Sequence, residues 1–191
     1  MSQLAVVYIP DCNNVVAAVL RQGTYGASPT PDLVVGAKGI TLRDPTLAAR
    51  GAAVAVLPVS KLAINVYDPA KLDAVTLSAL LANPTAFYLP LNAAGKLDNP
   101  QPAVTDETEL APSPAHAAVT ITFAATSAPS QPLQYFVAAQ KKGHLDVAPA
   151  VAPGTTRTAP AVTTNVTIVA AKDDFLVFAV QGYSLRILKA T

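Results

Sequence analysis

The segment Val119-Thr120-Ile121-Thr122-Phe123-Ala124 alternates large apolar side chains with small or polar ones. A period of two places Val119, Ile121 and Phe123 on one face of a β-strand and Thr120 and Thr122 on the other. The same alternation recurs downstream. Leu133, Tyr135 and Val137 alternate with Gln134, Phe136 and Ala138, and Val162, Thr164, Val166 and Ile168 mark a third strand. Residues 175–180, Phe-Leu-Val-Phe-Ala-Val, are apolar on both faces, as a central strand is. After the turn-like Gln181-Gly182, the stretch Leu185-Arg186-Ile187-Leu188 reads as a last strand. Strands joined by Ser/Pro/Gly loops predict a small antiparallel β-sandwich or barrel over residues 115–191. The Cys…Trp…Cys spacing of immunoglobulin domains is missing, since the chain has one Cys and no Trp.

Two breaks in composition frame this part. Residues 92–114 hold Asn99-Pro100-Gln101-Pro102, the acidic group Asp106, Glu107 and Glu109, and Pro112-Ser113-Pro114, which read as a linker or long surface loop. Residues 148–160, with Pro149, Pro153, Gly154 and Pro160, read as an extended loop between two strands.

Residues 1–91 read as a mixed α+β part. Residues 4–9 are an apolar, β-prone run ended by Pro10, and residues 15–20 are strand or short helix, because Ala17 and Ala18 weaken the β pattern. Gly36-Ala37-Lys38-Gly39 reads as a hairpin turn between Val34-Val35 and residues 40–42. Asp44-Pro45 caps a short helix over residues 46–50 that Gly51 can close. Residues 54–57, 62–67 and 87–91 read as strands. Asp68-Pro69 is the clearest helix start. The Asp68 carboxylate can accept first-turn N–H groups, and Pro69 has no N–H to leave unpaired. A helix is therefore expected over residues 69–83, with Leu72, Val75, Ala79 and Ala82 as its apolar stripe and Leu80 beside it. Asn83-Pro84 ends it. The chain as a whole is expected to be mainly β, with one clear helix.

Composition excludes several classes. Of the 191 residues, 51% are hydrophobic and 13% charged, with a formal net charge of +1. A disordered tail has the opposite balance. The single Cys12 rules out a disulfide scaffold, and near-balanced charge argues against a specific nucleic-acid binder. Five Phe, one Met and no Trp make a thin core, which burial against neighbouring subunits would remedy. No run of about 18 apolar residues predicts a membrane span. The N-terminus lacks a basic region ahead of its apolar stretch, so no signal peptide is expected and Cys12 is expected reduced.

No motif carries chemistry. His116 and His144 are the available imidazoles, with no sequence context that supplies a nucleophile, and there is no Gly-x-Ser-x-Gly elbow. Asp11 would raise rather than lower the Cys12 thiol pKa. Asp106, Glu107 and Glu109 offer calcium-type oxygens without a turn glycine or a closing glutamate at loop spacing, so a solvated linker is the reading. Asp173-Asp174 beside Lys172 reads as a turn. Gly23-Thr24-Tyr25-Gly26 and residues 36–39 lack the further glycines of a phosphate loop. Lys141-Lys142 reads as an exposed hairpin tip, and Asn165-Val166-Thr167 as a chance sequon inside a strand. Tyr25, Tyr67, Tyr88, Tyr135 and Tyr183 could line a sugar-binding face, although core packing with an exposed hydroxyl is the default for each.

No catalytic, cofactor-binding or metal-ligating residue is assigned, and no cofactor is expected. Low charge, small β-branched residues, strand-rich design and Pro-rich extensions together lead to a non-enzymatic assembly protein. It would be a subunit of a virion, phage tail or contractile apparatus, made in the cytoplasm. Its partners would be copies of itself or other subunits, met through β-edges and extended loops. The alternative is a β-sandwich binding module, for carbohydrate in the first instance.

Overall fold

The computed structural model describes residues 1–36, 39–43, 54–103, 110–113, 119–123, 133–140, 150–151, 156–157, 164–168 and 171–189. The protein is mainly β, and its described strand pairs are antiparallel.

The first sheet is built around the hairpin of β1 (Ser2–Ile9) and β2 (Asn14–Gln22). In its turn the Ile9 carbonyl accepts from the N–H groups of Cys12 (3.2 Å) and Asn13 (2.7 Å). Asn13 takes a left-handed φ of 60°, which Asn tolerates better than most residues. The Asn-Val-Val-Ala-Ala-Val run opening β2 does not alternate cleanly, and a bulge absorbs the mismatch. Val7 pairs with Ala17 and Tyr8 with Val15, leaving Val16 as the extra residue. Val15 therefore joins the core on one face of the sheet, while Val16 joins the core on the other.

The mixed N-terminal region also forms β3 (Ile40–Arg43), β4 (Val54–Leu57), β5 (Ala63–Tyr67), β6 (Phe87–Tyr88) and β7 (Gln101–Pro102). The first sheet runs β5-β1-β2-β6-β7, and β3 pairs with β4 as a separate ribbon. Gly39, at φ 119°, lies so close to this ribbon that a Cβ would overlap the Leu57 carbonyl oxygen.

Downstream come β8 (Leu110–Ser113), β9 (Val119–Phe123), β10 (Leu133–Gln140), β11 (Ala150–Val151), β12 (Thr156–Arg157), β13 (Thr164–Ile168), β14 (Phe175–Val180) and β15 (Arg186–Lys189). One sheet runs β11-β10-β14-β15, with β12 also on β10, and another runs β13-β9-β8. The alternating segments around residues 119, 133 and 164 are strands as expected. β14 is buried from Leu176 to Val180, as its two-sided apolar pattern requires.

The first sheet is covered on both faces. One face meets the β10-β14-β15 sheet in a core of Val7, Ile9, Val16, Phe136, Val177 and Ile187, which Leu42 and Leu57 of the β3–β4 ribbon complete. The other face carries Leu4, Val6 and Val15 against Leu80, Phe87 and Leu89.

Several expectations need correction. Residues 15–20, read as strand or short helix, are strand, since β2 runs through them. The helix expected over 69–83 is two pieces. Asp68 caps a single 3-10 turn, Pro69–Lys71, its side chain accepting from the Ala70 N–H. Leu72 then turns extended, and Asp73 caps the true helix, α2 (Ala74–Ala82), accepting from the Thr76 N–H at 2.8 Å. Restarting at Asp73 rotates the buried stripe. Leu80 is fully buried and Leu77 packs beside it, whereas Val75 is 79% exposed and Ala79 and Ala82 face outward. Val34 and Val35 belong to a short helix, α1 (Asp32–Val35), so they are not the first arm of a hairpin. The partner of residues 40–43 is β4. Residues 87–91 hold only the two-residue β6, followed by a bridge between Leu91 and Leu97. Parts of the two presumed loops are strand: β7 pairs with β6, and β11 and β12 pair with β10. The short helix expected over residues 46–50 lies outside the described residues.

Candidate functional site

The described residues that could have carried chemistry have local structural roles instead. Cys12 is fully buried within the core between the two sheets. Burial pushes its thiol up to about 12, and the Asp11 charge adds in the same direction. A thiol held protonated is a poor nucleophile. Asp173 and Asp174 form the tight turn into β14: Asp173 takes φ 73°, Asp174 N–H donates to the Ala171 carbonyl, and the Asp174 carboxylate accepts from Ala171 N–H at 2.7 Å. That carboxylate closes its own turn. Among the described residues no three His, Cys, Asp or Glu side chains gather as a metal site. His116, His144, Asp106, Glu107, Glu109, Lys141 and Lys142 lie outside the described residues. Asn165 and Thr167 lie on β13, paired with Thr122 and Thr120.

The five tyrosines do not converge. Tyr25, Tyr135 and Tyr183 are buried. Arg21 stacks 5.4 Å from the Tyr25 ring centroid, and the Tyr25 N–H donates to Gln3 Oε1. Burial raises the Tyr135 hydroxyl pKa. Tyr67 sits on β5, at one end of the first sheet, its hydroxyl donating to the Asp98 carbonyl at 2.9 Å. Burial pushes the Tyr67 hydroxyl up to about 12. Tyr88 lies on β6, two strands beyond β1. A common stacking platform is therefore not built from these rings.

What the fold does present is open sheet edge. Native edges are usually guarded by charge, proline, brevity or cover. Most of the described edges here follow that rule. β7 and β8 carry Pro102 and Pro112, β15 carries Arg186 and Lys189, and β3 ends in Arg43. β11 and β12 are two residues each, while β4 lies against β14 and β13 against β10. Beyond Asn14 the outer side of β2 carries the exposed Arg21.

β5 differs. Its sequence Ala63-Ile64-Asn65-Val66-Tyr67 has no charge and no proline, and all five residues are half-buried. It pairs with β1 on one side, and among the described residues no strand pairs with its other side. The Val66 N–H donates to the neighbouring Asn65 Oδ1, at 3.1 Å. Lys61 and Asp68, both exposed, stand just outside the two ends of the strand. Sequence reading finds this strand without marking it as special, because edge position depends on which strands pair. The available signal is the charge-free run between two charged ends.

The chain matches no known family model, no curated protein and no solved structure.

Proposed function

We propose that this chain is a non-enzymatic structural subunit of a larger particle, such as a virion, phage tail or contractile apparatus. It is made in the cytoplasm and acts through β-edge and extended-loop contacts with copies of itself or with other subunits. The observation that carries this reading is the unguarded edge of β5, in a chain with only 13% charged residues. An uncharged edge left open in a free monomer is an aggregation hazard, and one that is covered in an assembly is not. The scarcity of large aromatic residues, with five Phe and no Trp in the chain, points the same way, because burial between subunits adds stability that the isolated chain has less area to supply.

The test is the solution mass of the purified chain by light scattering across a concentration series, with negative-stain imaging. Regular oligomers or particles are the expected result. A monomer at every concentration, with no regular object in the images, overturns the reading.

A further inference from the structure

We infer that β5 is a self-pairing edge: two copies of this chain join their first sheets by antiparallel β5–β5 pairing about a two-fold axis centred on Asn65. The inference rests on the reading of the chain as a self-associating subunit and names the surface and register involved.

The backbone says which groups are free to pair. Met1 carbonyl accepts from Gly23 N–H at 2.9 Å, continuing the β1–β2 ladder one step beyond Ser2↔Gln22. In an antiparallel ladder the backbone groups of alternate residues point to opposite neighbours. The odd residues of β1 therefore face β2, and Leu4, Val6 and Tyr8 face β5. Their partners are Tyr67, Asn65 and Ala63. Ile64 and Val66 are left with their N–H and carbonyl groups directed away from the sheet. The Val66 N–H is consistent with this, since it donates to the Asn65 side chain.

A two-fold at Asn65 places Ile64 opposite Val66 of the second copy, and Val66 opposite Ile64. Both are then hydrogen-bonded pairs in which each residue gives and receives a bond, so every outward group of the two residues is used. The side chains also match. Ile64 meets Val66, a β-branched pair, on the face that continues the inter-sheet core. Tyr67 meets Ala63 on the opposite face. Asn65 meets Asn65 at the axis, where each amide can bond the other once Val66 N–H finds its inter-strand acceptor. Charge fits the same register. Asp68 of the second copy falls opposite Leu62, one step along from Lys61, so at both ends of the joined strands the near charges are of opposite sign. Of the described edges, β5 alone combines an open side, no internal charge or proline, and charged ends of opposite sign.

The experiment uses the full chain and Val66→Pro, followed by sedimentation velocity and light scattering. Proline is tolerated on an edge strand where the N–H faces outward, so the β1–β5 ladder is retained. The expected result is self-association weakened about tenfold or more, with the far-ultraviolet spectrum of the folded chain retained. Should Val66→Pro fail to fold, the exposed charges supply the test. Lys61→Glu and Asp68→Lys are each expected to weaken association, and the double variant to restore it. Association that survives Val66→Pro in a folded chain, or charge variants with no mutual rescue, overturns β5 pairing while the assembly reading stands. A wild-type chain that is monomeric at every concentration overturns both.

Discussion

Asn14 ties the first sheet to the turn between β14 and β15 by a polar bond. It has no exposed surface, and its Nδ2 donates to the Tyr183 carbonyl, 169 residues away, at 2.6 Å. Nothing among the described residues donates to its Oδ1. A buried side chain with one group satisfied and one not is sensitive to change in either direction. Asn14→Ala is expected to lower stability by about 1–3 kcal/mol, read from urea unfolding. Asn14→Asp should cost more, because it places a carboxylate where water does not reach. Cys12, at the foot of the same hairpin, predicts a pH dependence. Its thiol would ionise at its ordinary 9.0 in the unfolded chain and at about 12 in the folded one. Between those values the folded state holds a proton that the unfolded state has lost. This contribution to stability is therefore complete below pH 9 and declines toward pH 12. Tyr67, raised from 10.0 to about 12, adds to the loss in the upper part of the window. Urea midpoints at neutral pH and within the window should fall in the wild type, and fall less in Cys12→Ala. A slope unchanged by Cys12→Ala would contradict the assignment. Asn14 is not identifiable as a core residue from its neighbours in sequence. The hairpin turn buries Cys12, and a carbonyl from the far end of the chain gives Asn14 its role.

The helix region shows how local signals compete. Asp68-Pro69 and Asp73 are both valid N-caps, and the chain uses each for a separate piece. The first cap is followed by an extended Leu72, whose side chain packs onto the first sheet beside Leu77 and Leu80. Packing of that leucine, rather than helix propensity, sets where α2 begins. Asp73→Ala is therefore expected to cost about 0.5–2 kcal/mol through loss of the cap, while Asp68→Ala leaves α2 intact by circular dichroism. Leu80→Ala should cost about 2–5 kcal/mol, and Val75→Lys should be neutral within about 0.5 kcal/mol. An apolar stripe through Val75 would reverse that order, so thermal or urea unfolding of the two variants checks the register of α2. The strands were more legible than the helix. Period-two runs such as residues 119–123 and 164–168 survive any tertiary context that buries one face. The β2 run became legible only with its bulge, because Val16 and Ala17 both turn to the face of Val7.

At the scale of the molecule, the larger of the two cores is shared across residues 92–114. Val7, Ile9 and Val16 from the first sheet share a core with Phe136, Val177 and Ile187 from the second. A fragment ending at Ala103 would leave that face of the first sheet open to water. It is expected to aggregate or to bind a hydrophobic dye, where the full chain remains folded and dye-free. A soluble fragment with a cooperative unfolding transition would count against a shared core. The open β5 edge also belongs to this scale. It exists because, among the described residues, the first sheet ends there.

The amino-acid order by itself determined a mainly β chain, the positions of most strands, the turn at Asp173-Asp174, and the absence of a recognisable catalytic motif. These follow from side-chain period, turn chemistry and residue type, all of which act over a few neighbours. Only the tertiary structure decided that Asn14 is buried, that Leu80 rather than Val75 faces the core, and that β5 is an outer strand among the described residues. Those properties depend on contacts between segments far apart in the chain, and burial is a sum over whatever the fold brings within reach.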